Sequence, residues 1–484
     1  MTATRAKEPA HPLAEPPEQR MEEPPEAAAL TSLVGAGLTV PCVDGVERPY
    51  RDLDCAASTP AHPLVAERVA EALPWYASVH RGAGFKSRAA TIAYEAARLV
   101  ILDHCGRSDD GDVAIICRNT TEAVNHLAYR LRFAPGDVVV TTVVEHHANL
   151  LPWARSATLR YVECGVDGTF GVEDVVAALD GSPAPKLLAI TGASNVTGWM
   201  PPIAEICAAA HARGVPVALD AAQLAPHRPL PTEADYLAFS GHKLYAPYGA
   251  GALVGPRTTF ETGDPFLAGG GAVDLVDLDE VIWTEPPDRE EAGSPNVLGA
   301  VAMGAALDAL RTTGWGAIVA HERHLAQQLR RGLASIDGVR LLGPSLDTDT
   351  LAVATFTVEG VHQGLVAARL SAEHGIGVRH GCFCAHPYLL RLLGLGKDDV
   401  AAARRHVLAG DRASIPGAVR ASCGLGTSAD DVGALLHAIG ALAAGAPSPA
   451  PYVQDPSTGD FFPESNAPGW TTAERPQGSG CAQG

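Results

Sequence analysis

Short runs of β-branched and aliphatic residues alternate with helical patterns between residues 112 and 240, and this alternation constrains the fold more than any other feature. The predicted strands cover residues 112–117, 137–142, 158–163, 186–190, 215–220 and 235–240. Helical patterns separate several of them, at residues 121–131 and 205–213 for example. Near-continuous apolar strands that alternate with helices are typical of a mostly parallel sheet covered on both faces. The sequence therefore predicts an α/β fold.

The pattern changes after about residue 296. Two longer helical patterns, at residues 297–313 and 316–335, are followed by shorter strand and helix patterns that predict a smaller α+β domain. Both ends of the chain are rich in Pro and poor in apolar periodicity, which predicts little packed structure there. The predicted organisation is a disordered tail at residues 1–32, a large domain with an N-terminal arm at 33–295, a small domain at 296–445, and a tail or loosely packed strap at 446–484.

Charge and cysteine content narrow the class of protein. The chain has 36 Lys and Arg against 55 Asp and Glu, a formal net charge of −19, and no basic stripe, so we expect no nucleic-acid partner. It has no run of about 18 apolar residues and no basic-then-apolar start, so neither a membrane span nor a secretory signal is expected. Ten scattered cysteines are typical of reduced thiols, which favours a cytoplasmic location.

Two neighbouring predicted strands end in residues that suit a cofactor site. Asp220 ends one strand and Gln223 follows three residues later; Ser240 ends the next strand and leads into His242 and Lys243. Ligands of open α/β sheets bind at the carboxyl ends of the strands. A lysine and a carboxylate there suit pyridoxal phosphate, since the amine bonds the aldehyde carbon and the carboxylate keeps the ring nitrogen protonated. The spacing alone is equally compatible with solvent-facing loop residues.

The scarcity of lysine narrows the choice of the reactive amine. The chain has only five lysines. Lys7 lies in the predicted tail, Lys86 precedes a helix before the sheet, Lys186 opens a strand at its amino end, and Lys397 lies in a polar loop of the small domain. Lys243 is therefore the one lysine at the predicted ligand-binding edge.

A phosphate site is predicted between the first strand and the following helix. Thr120 and Thr121 stand there, and backbone amides at a helix N-terminus bind phosphate. One of these threonines is predicted to be the N-cap, which is also a sufficient structural reason for its presence. The chain has neither a GxGxxG nor a GxxxxGK[ST] motif, which argues against nicotinamide and ATP sites.

His146 and His147 follow the predicted strand 137–142 at the same edge. An imidazole there could stack on the pyridine face and move protons near neutral pH. A histidine pair could instead bind a metal, but further ligands at metal-site spacing are not evident in the sequence. We therefore predict no metal.

The segment GIGVRHGCFCAHPY contains Arg379, Cys382 and Cys384, and Arg420 follows in a predicted strand. Arginine can bind a substrate carboxylate with two parallel hydrogen bonds. A Cys-x-Cys pair flanked by histidine also suggests zinc, but only one such pair stands in a short loop, and a cysteine is often a buried small hydrophobe. A thiol beside Arg and His in a glycine-containing loop better suits a reactive thiolate.

Several motifs together carry a family resemblance: VHRGAG (79–84), TEAVN, EHHANLLPW, SNVTG (194–198), LDAAQ (219–223), FSGHKLYAPYGAG (239–251), EAGSPN (291–296), VRHGCFCAHP and VRAS. With them, residues 50–445 resemble the fold type I pyridoxal phosphate enzymes of the class V aminotransferase family. The resemblance is closest to SufS-type cysteine desulfurases and selenocysteine lyases. It implies a homodimer that takes sulfur from L-cysteine, releases L-alanine and passes the sulfur to an acceptor protein.

The resemblance also implies roles for individual residues. Lys243 would bond the cofactor, Asp220 would pair with the ring nitrogen, Gln223 would donate to the ring oxygen, and His146 would stack on the ring and act as a base. Cys384 would be the nucleophile that becomes a persulfide. The remaining implied contacts are Thr120, Thr121, Ser240 and His242 with the phosphate, Ser294 with the phosphate of the neighbouring subunit, and Asn195, His80, Arg379 and Arg420 with the substrate.

The chain departs from the family pattern at two places. Members resembling SufS usually read RTGHHCAQP, where this chain has Cys382 and Phe383 in place of the two histidines. The GCFC string also resembles the desulfurase domain of molybdenum-cofactor sulfurases. Residues 388–417 include a polar insert that could reshape the surface on which a sulfur acceptor docks.

The main prediction is a cysteine desulfurase. The alternatives are another class V reaction of specialised metabolism, such as C–S lysis, epimerisation or transamination, and an inert family member that serves as a scaffold.

Overall fold

The computed structural model describes residues 28–80 and 82–464. The N-terminal arm contains strands β1 (Thr39–Pro41), β2 (Glu47–Pro49) and β3 (Arg51–Asp52), followed by helices α1 (Pro63–Ala72) and α2 (Phe85–His104). β1 and β2 form an antiparallel pair. Among the described residues, no helix is both long and apolar enough to cross a membrane.

A seven-stranded sheet forms the centre of the large domain. Its strands are β4 (Asp112–Cys117), β5 (Val138–Thr142), β6 (Thr158–Val162), β7 (Leu187–Thr191), β8 (Val217–Asp220), β9 (Tyr236–Ser240) and β10 (Gly251–Pro256). They lie in the order β4-β10-β9-β8-β7-β5-β6. β10 runs antiparallel to its neighbours β4 and β9, and all the other neighbouring strands are parallel to each other. Every residue of β5, β7, β8 and β9 is buried. The predicted α/β class is confirmed, and the six predicted strands are present.

Helices cover both faces of this sheet. They include α3 (Thr120–Arg130), α4 (Leu151–Ser156), α5 (Val172–Leu179) and α6 (Ile203–His211). A hairpin of β11 (Val273–Val276) and β12 (Val281–Trp283) then leads to α7 (Val297–Thr313). α7 packs on α1 and α2, and its Ala302 and Met303 belong to the core of the large domain. The boundary predicted at residue 296 therefore precedes a helix that packs with the large domain.

The small domain is an antiparallel sheet with helices packed against it. Its elements are α8 (Trp315–Ala334), β13 (Val339–Leu342), β14 (Val353–Val358), α9 (Gln363–His374), β15 (Ile376–Gly377), β16 (Arg379–Gly381), α10 (His386–Leu392), α11 (Lys397–Leu408), β17 (Ala418–Ser422) and α12 (Ala429–Ala443). The sheet order is β13-β14-β17-β16. β15 pairs in parallel with β3, which joins the N-terminal arm to this domain.

The segment after α12 is a packed hairpin rather than a tail as far as residue 464. Strands β18 (Tyr452–Gln454) and β19 (Phe461–Pro463) pair antiparallel beside α9. The Tyr452 hydroxyl lies 3.1 Å from Glu373 Oε1, and His380 Nε2 lies 3.2 Å from Asp460. These contacts join the hairpin to residues about 80 positions earlier in the chain. Local composition therefore could not predict the hairpin.

The predicted tails lie mostly outside the described residues, namely residues 1–27 and 465–484. At the N-terminal end, residues 28–32 are described, and the Thr31 N–H donates to the Leu425 carbonyl at 3.2 Å. The arm thus begins a few residues earlier than predicted.

Candidate active site

A cavity of about 250 Å³ opens where the carboxyl ends of β7, β8 and β9 face the small domain. Its walls come from the large domain, the N-terminal arm and the small domain. The lining residues are Ala56, Ala57, Asn119, Thr120, Thr121, His146, Ala148, Thr191, Ala193, Asn195, Asp220, Ala222, Gln223, Ser240, His242, Lys243, Arg379, Phe383, Cys384 and Arg420. Most of the residues predicted for the site therefore lie around one cavity.

Lys243 ends a single 3-10 turn that begins directly after β9. The arm holds this turn: the Thr59 N–H donates to the His242 carbonyl at 2.8 Å, and the Tyr245 N–H donates to Thr59 Oγ1 at 2.8 Å. Burial lowers the pKa of Lys243 to about 8, while the charge of Asp220 opposes that shift. A substantial fraction of the amine is therefore neutral and nucleophilic near pH 8.

Asp220 is the last residue of β8 and is buried. Its Oδ1 accepts the Ala222 N–H at 3.0 Å. Burial raises the pKa of this carboxyl, and the hydrogen bond and Lys243 counteract the shift. The Gln223 amide, also buried, donates to the Ala56 carbonyl at 2.7 Å, so the arm contacts this part of the cavity as well.

The opposite end of the cavity is the start of α3. Asn119 is the N-cap, since its Oδ1 accepts the Glu122 N–H at 3.0 Å, so the prediction of Thr120 or Thr121 as the cap was wrong. Thr120 instead bonds to Ser240 through its N–H at 2.8 Å and its hydroxyl at 2.6 Å. The N-terminus of α3 and the hydroxyls of Thr120 and Ser240 therefore form one wall of the cavity. Backbone amides at a helix N-terminus with hydroxyls beside them suit a phosphate group.

His146 lies beside the cavity with a defined hydrogen-bond pattern. Its Nδ1 accepts the Ala148 N–H at 3.0 Å, so the proton of the neutral ring is assigned to Nε2. Burial lowers the pKa of His146 to about 3, and the positive charge of Lys243 adds to the shift. The imidazole ring is therefore neutral at physiological pH. A neutral ring suits stacking on the pyridine ring of a cofactor.

A fully buried carboxyl beneath His146 was missed by the sequence analysis. Glu145 accepts hydrogen bonds from the Thr142 hydroxyl at 2.8 Å, the Asn149 amide at 2.7 Å and the Thr191 N–H at 3.1 Å. Burial raises its pKa to about 8. The group ties the ends of β5 and β7 together and so positions the loop that carries His146. In the sequence it is a glutamate before two histidines, and nothing there shows its burial.

Two arginines on adjacent strands line the side of the cavity formed by the small domain. Arg379 of β16 and Arg420 of β17 are register partners, and both bond to Asp54 of the arm, at 3.0 Å and 2.9 Å. Arg420 is buried, donates to the Asn195 carbonyl at 2.9 Å, and leaves its Nε without a partner. A buried guanidinium with one unused donor suits a carboxylate ligand. Asp54 was missed because its place here depends on the pairing of the arm with β15 and on its own bridge to Ser422, both distant in sequence.

The loop that carries Cys384 is a tight turn. The Ala385 N–H donates to the Cys382 carbonyl at 3.0 Å, and the two central residues, Phe383 and Cys384, have φ of 55° and 53°. Asn195 holds this turn through a 2.8 Å hydrogen bond from its amide to the Phe383 carbonyl. Cys384 is exposed at the cavity, whereas Cys382 is half-buried and does not line it.

Two residues predicted for the site, His80 and Ser294, lie outside the cavity, and so does His147. His80 bonds to Glu95 at 2.8 Å, and together with Asp288 these side chains place their ligand atoms within 4.8 Å of one another. Ser294 is exposed and away from the cavity of its own chain. The His147 ring stacks on the His386 ring with centroids 5.1 Å apart. The backbone N–H of His147 donates to the Cys384 carbonyl at 2.8 Å. The structure thus does not bring His80 to the substrate within one chain.

The mostly parallel sheet and the cavity at its carboxyl edge define a pyridoxal phosphate enzyme of fold type I. The fit is chemical: the buried Lys243 amine, the Asp220 carboxyl and the helix N-terminus at Thr120 suit the aldehyde, the ring nitrogen and the phosphate of this cofactor. When bound, the cofactor accepts electrons from the substrate α-carbon. Residues 52–435 match the aminotransferase class-V family, and the chain belongs to that family.

Curated relatives and solved structures support this assignment. The chain is 37% identical over 353 residues to a probable cysteine desulfurase of Halalkalibacterium halodurans, covering 70% of this chain and 85% of that protein. It is 37% identical over 357 residues to a cysteine desulfurase of Dickeya dadantii, covering 71% and 85%. The apo cysteine desulfurase of Thermococcus onnurineus superposes with a TM-score of 0.73 at 33% identity, covering 82% of this chain and 95% of that one. For the cysteine desulfurase CsdA of Escherichia coli the TM-score is 0.68 at 31% identity, covering 81% and 94%.

The lowered pKa of Lys243 predicts the pH dependence of cofactor loading. The neutral amine attacks the aldehyde, so the loading rate should rise as the pH increases through about 8 and level off above it. Stopped-flow absorbance after mixing the cofactor-free protein with pyridoxal phosphate measures this rate. A midpoint near the ordinary lysine pKa of about 10.4 would contradict the described environment.

The Asp54 contacts predict a specific effect on substrate binding. Asp54→Asn should raise KM for the amino acid by about 10-fold to 100-fold, because the loss of a charge-assisted hydrogen bond costs about 1.5–3 kcal/mol and frees both arginines. Steady-state kinetics measure the change, and kcat should change less. Asp44→Asn is the matched control, since Asp44 lies on the same arm but bonds to the half-buried Arg48, away from the cavity. Equal KM values for the two variants would show that Asp54 does not position the arginines.

Proposed function

We propose that the protein is a pyridoxal phosphate-dependent cysteine desulfurase that takes sulfur from L-cysteine as a persulfide on Cys384 and releases L-alanine. The observation that carries this proposal is that the exposed Cys384 lines the same cavity as Lys243 and the two arginines. A thiol that faces the reacting amine and the carboxylate-binding groups can reach the side chain of a bound amino acid. The names of the curated relatives and of the structural neighbours support the same reaction.

The residues divide the work according to their places in the cavity. Arg420, oriented by Asp54, binds the substrate carboxylate with Arg379, and Asn195 holds the cysteine turn against the substrate. Lys243, a substantial fraction of whose amine is neutral near pH 8, removes the proton from the substrate α-carbon. The Cys384 thiolate then attacks the substrate sulfur, so that a sulfur–sulfur bond forms as the carbon–sulfur bond breaks. The electron pair of the broken bond stays on the β-carbon, and L-alanine is completed by one proton added to the β-carbon and one returned to the α-carbon.

Product analysis tests the proposal directly. The protein loaded with pyridoxal phosphate is incubated with L-cysteine, and alanine, sulfide and pyruvate are measured separately. Alanine in the amount of the sulfur transferred supports the desulfurase. Pyruvate with little alanine would show β-elimination. A racemised or transaminated product would show another class V reaction.

The proposal includes a homodimer in which Ser294 completes the phosphate site of the partner. Support comes from the exposure of Ser294 and from its absence from the cavity of its own chain. Light scattering should give twice the chain mass, and Ser294→Ala should weaken cofactor binding about tenfold, as the loss of a hydrogen bond does.

Mixed dimers distinguish the two possible placements of Ser294. Lys243→Ala and Ser294→Ala subunits, unfolded and refolded together, should regain activity at limiting cofactor, because one of the two sites then has both residues intact. No recovery, with dimers present, would place Ser294 in the site of its own chain or outside it.

A sulfur-acceptor protein and a cytoplasmic location complete the proposal. The nine cysteines within the described ranges are all free thiols, as suits a reducing compartment. Helix α11, which lies within the 388–417 segment, has no buried residue and exposes Val407 and Leu408. The exposed apolar side chains of this helix give an acceptor protein a surface to bind.

A further inference from the structure

Cys382 stands two residues before Cys384 at the start of the same tight turn. Its carbonyl accepts the Ala385 N–H at 3.0 Å, and the turn continues through Phe383 and Cys384, both with positive φ. Cys382 is half-buried, packs against the hydrophobic core of the large domain and does not line the cavity. Cys384, in contrast, is exposed at the cavity. The position of Cys382 therefore keeps it from the substrate while placing it beside the thiol that receives the sulfur.

We propose that Cys382 is a resolving thiol that releases the transferred sulfur as hydrosulfide by forming a disulfide with Cys384. This inference rests on the proposed desulfurase function. It gives the protein a second mode of sulfur release, which needs no acceptor protein.

The step balances in atoms and electrons. The Cys382 thiolate attacks Sγ of the Cys384 persulfide, a Cys382–Cys384 disulfide forms, and the persulfide bond breaks. Its electron pair leaves with the outer sulfur as hydrosulfide. No oxidant is needed, because the persulfide already carries the oxidising equivalent. A low-molecular-weight thiol or a dithiol protein reduces the disulfide and restores both cysteines.

The turn geometry permits this bond. Disulfides need Cα atoms about 4.4–6.8 Å apart, and residues two apart in a turn meet that requirement, since two 3.8 Å steps are bent towards each other. Positive φ at Phe383 and Cys384 is uncommon for residues with side chains, so the neighbouring structure imposes the bend. The Asn195 bond to the Phe383 carbonyl and the His147 bond to the Cys384 carbonyl are two such constraints.

The environment of Cys382 suits a thiol that reacts after Cys384. Burial raises the pKa of Cys382, whereas the backbone N–H of Cys384 stabilises its thiolate. Cys384 alone among the described cysteines lines the cavity, and Cys55, next to the lining residue Ala56 in the arm, is buried. Cys382 is thus the described thiol placed next to the persulfide.

A single-turnover experiment tests the inference. The full chain, loaded with pyridoxal phosphate, receives less than one equivalent of L-cysteine per subunit under anaerobic conditions without reductant. Alanine and sulfide are measured after quenching, and the tryptic peptide of residues 380–391, which contains both cysteines, is weighed. The native protein should give equal amounts of alanine and sulfide, and its peptide should lose two hydrogen atoms. Cys382→Ser and Cys382→Ala should both form alanine, release about tenfold less sulfide and retain an extra sulfur on the peptide.

Cys164→Ser is the matched control, because Cys164 is also half-buried but lies after β6 outside the turn. It should behave as the native protein does. Sulfide release at the native yield in both Cys382 variants, or a native peptide that keeps its extra sulfur without forming a disulfide, would overturn the inference while leaving the desulfurase intact. A native protein that forms no alanine would instead overturn the proposed function.

Discussion

Lys243→Ala is expected to lose the absorbance of the lysine-bound cofactor and to lose turnover by roughly 10⁴-fold or more. The physical reason is that, in the proposed reaction, this amine both anchors the cofactor and moves the proton at the substrate α-carbon. The other lysines of the described residues, Lys86, Lys186 and Lys397, lie outside the cavity and cannot replace it. Absorption spectra of the purified variant, before and after addition of pyridoxal phosphate, measure the first effect, and alanine production measures the second.

Lys186→Ala is the appropriate control, since it removes a lysine of the same sheet from the amino end of β7. It should retain the yellow colour and the turnover of the native protein. An unchanged spectrum in Lys243→Ala would refute the assignment of the cofactor site.

Cys384→Ser is expected to lower alanine formation from L-cysteine by roughly 10⁴-fold, as removal of a nucleophile does, while leaving the cofactor spectrum unchanged. The two effects should separate because the proposed cofactor contacts come from Lys243, Asp220 and the start of α3, whereas the proposed nucleophile lies in the small-domain turn on another wall of the cavity. Mass spectrometry after a single turnover should show no added sulfur on the peptide of residues 380–391.

Cys382→Ser serves as the comparison, because it alters the same turn without removing the exposed thiol. It should still form alanine and carry the added sulfur. The nucleophile assignment would be wrong if the added sulfur survived in Cys384→Ser and disappeared in Cys382→Ser. If neither change affected turnover, the reaction would need no cysteine, and elimination, epimerisation or transamination would become the better description.

Local patterns were enough to predict the core of the large domain. The strands that end at Asp220 and Ser240 are continuous apolar runs, and such runs report burial on both faces whatever they pack against. Because parallel strands share one carboxyl edge, the same runs also predicted that Asp220 and Lys243 would meet. The scarcity of lysine made that prediction specific.

The family resemblance implied Asn195, Arg379 and Arg420 as substrate contacts, but only the tertiary structure decided how they meet and that Asp54 joins them. Asp54, Asn195 and Arg420 come from the arm, the large domain and the small domain, and their hydrogen bonds join residues hundreds of positions apart. Such contacts depend on the pairing of β3 with β15 and on how the two domains pack, and no pattern among neighbours in sequence reports either. The hairpin of residues 452–463 was missed for the same reason, since it is held by contacts with α9 rather than by a strong strand pattern of its own. The sequence by itself thus determined the class of fold and which residues gather at the carboxyl edge of the sheet, and only the packing of distant segments decided how the two arginines and the Cys384 thiol face them.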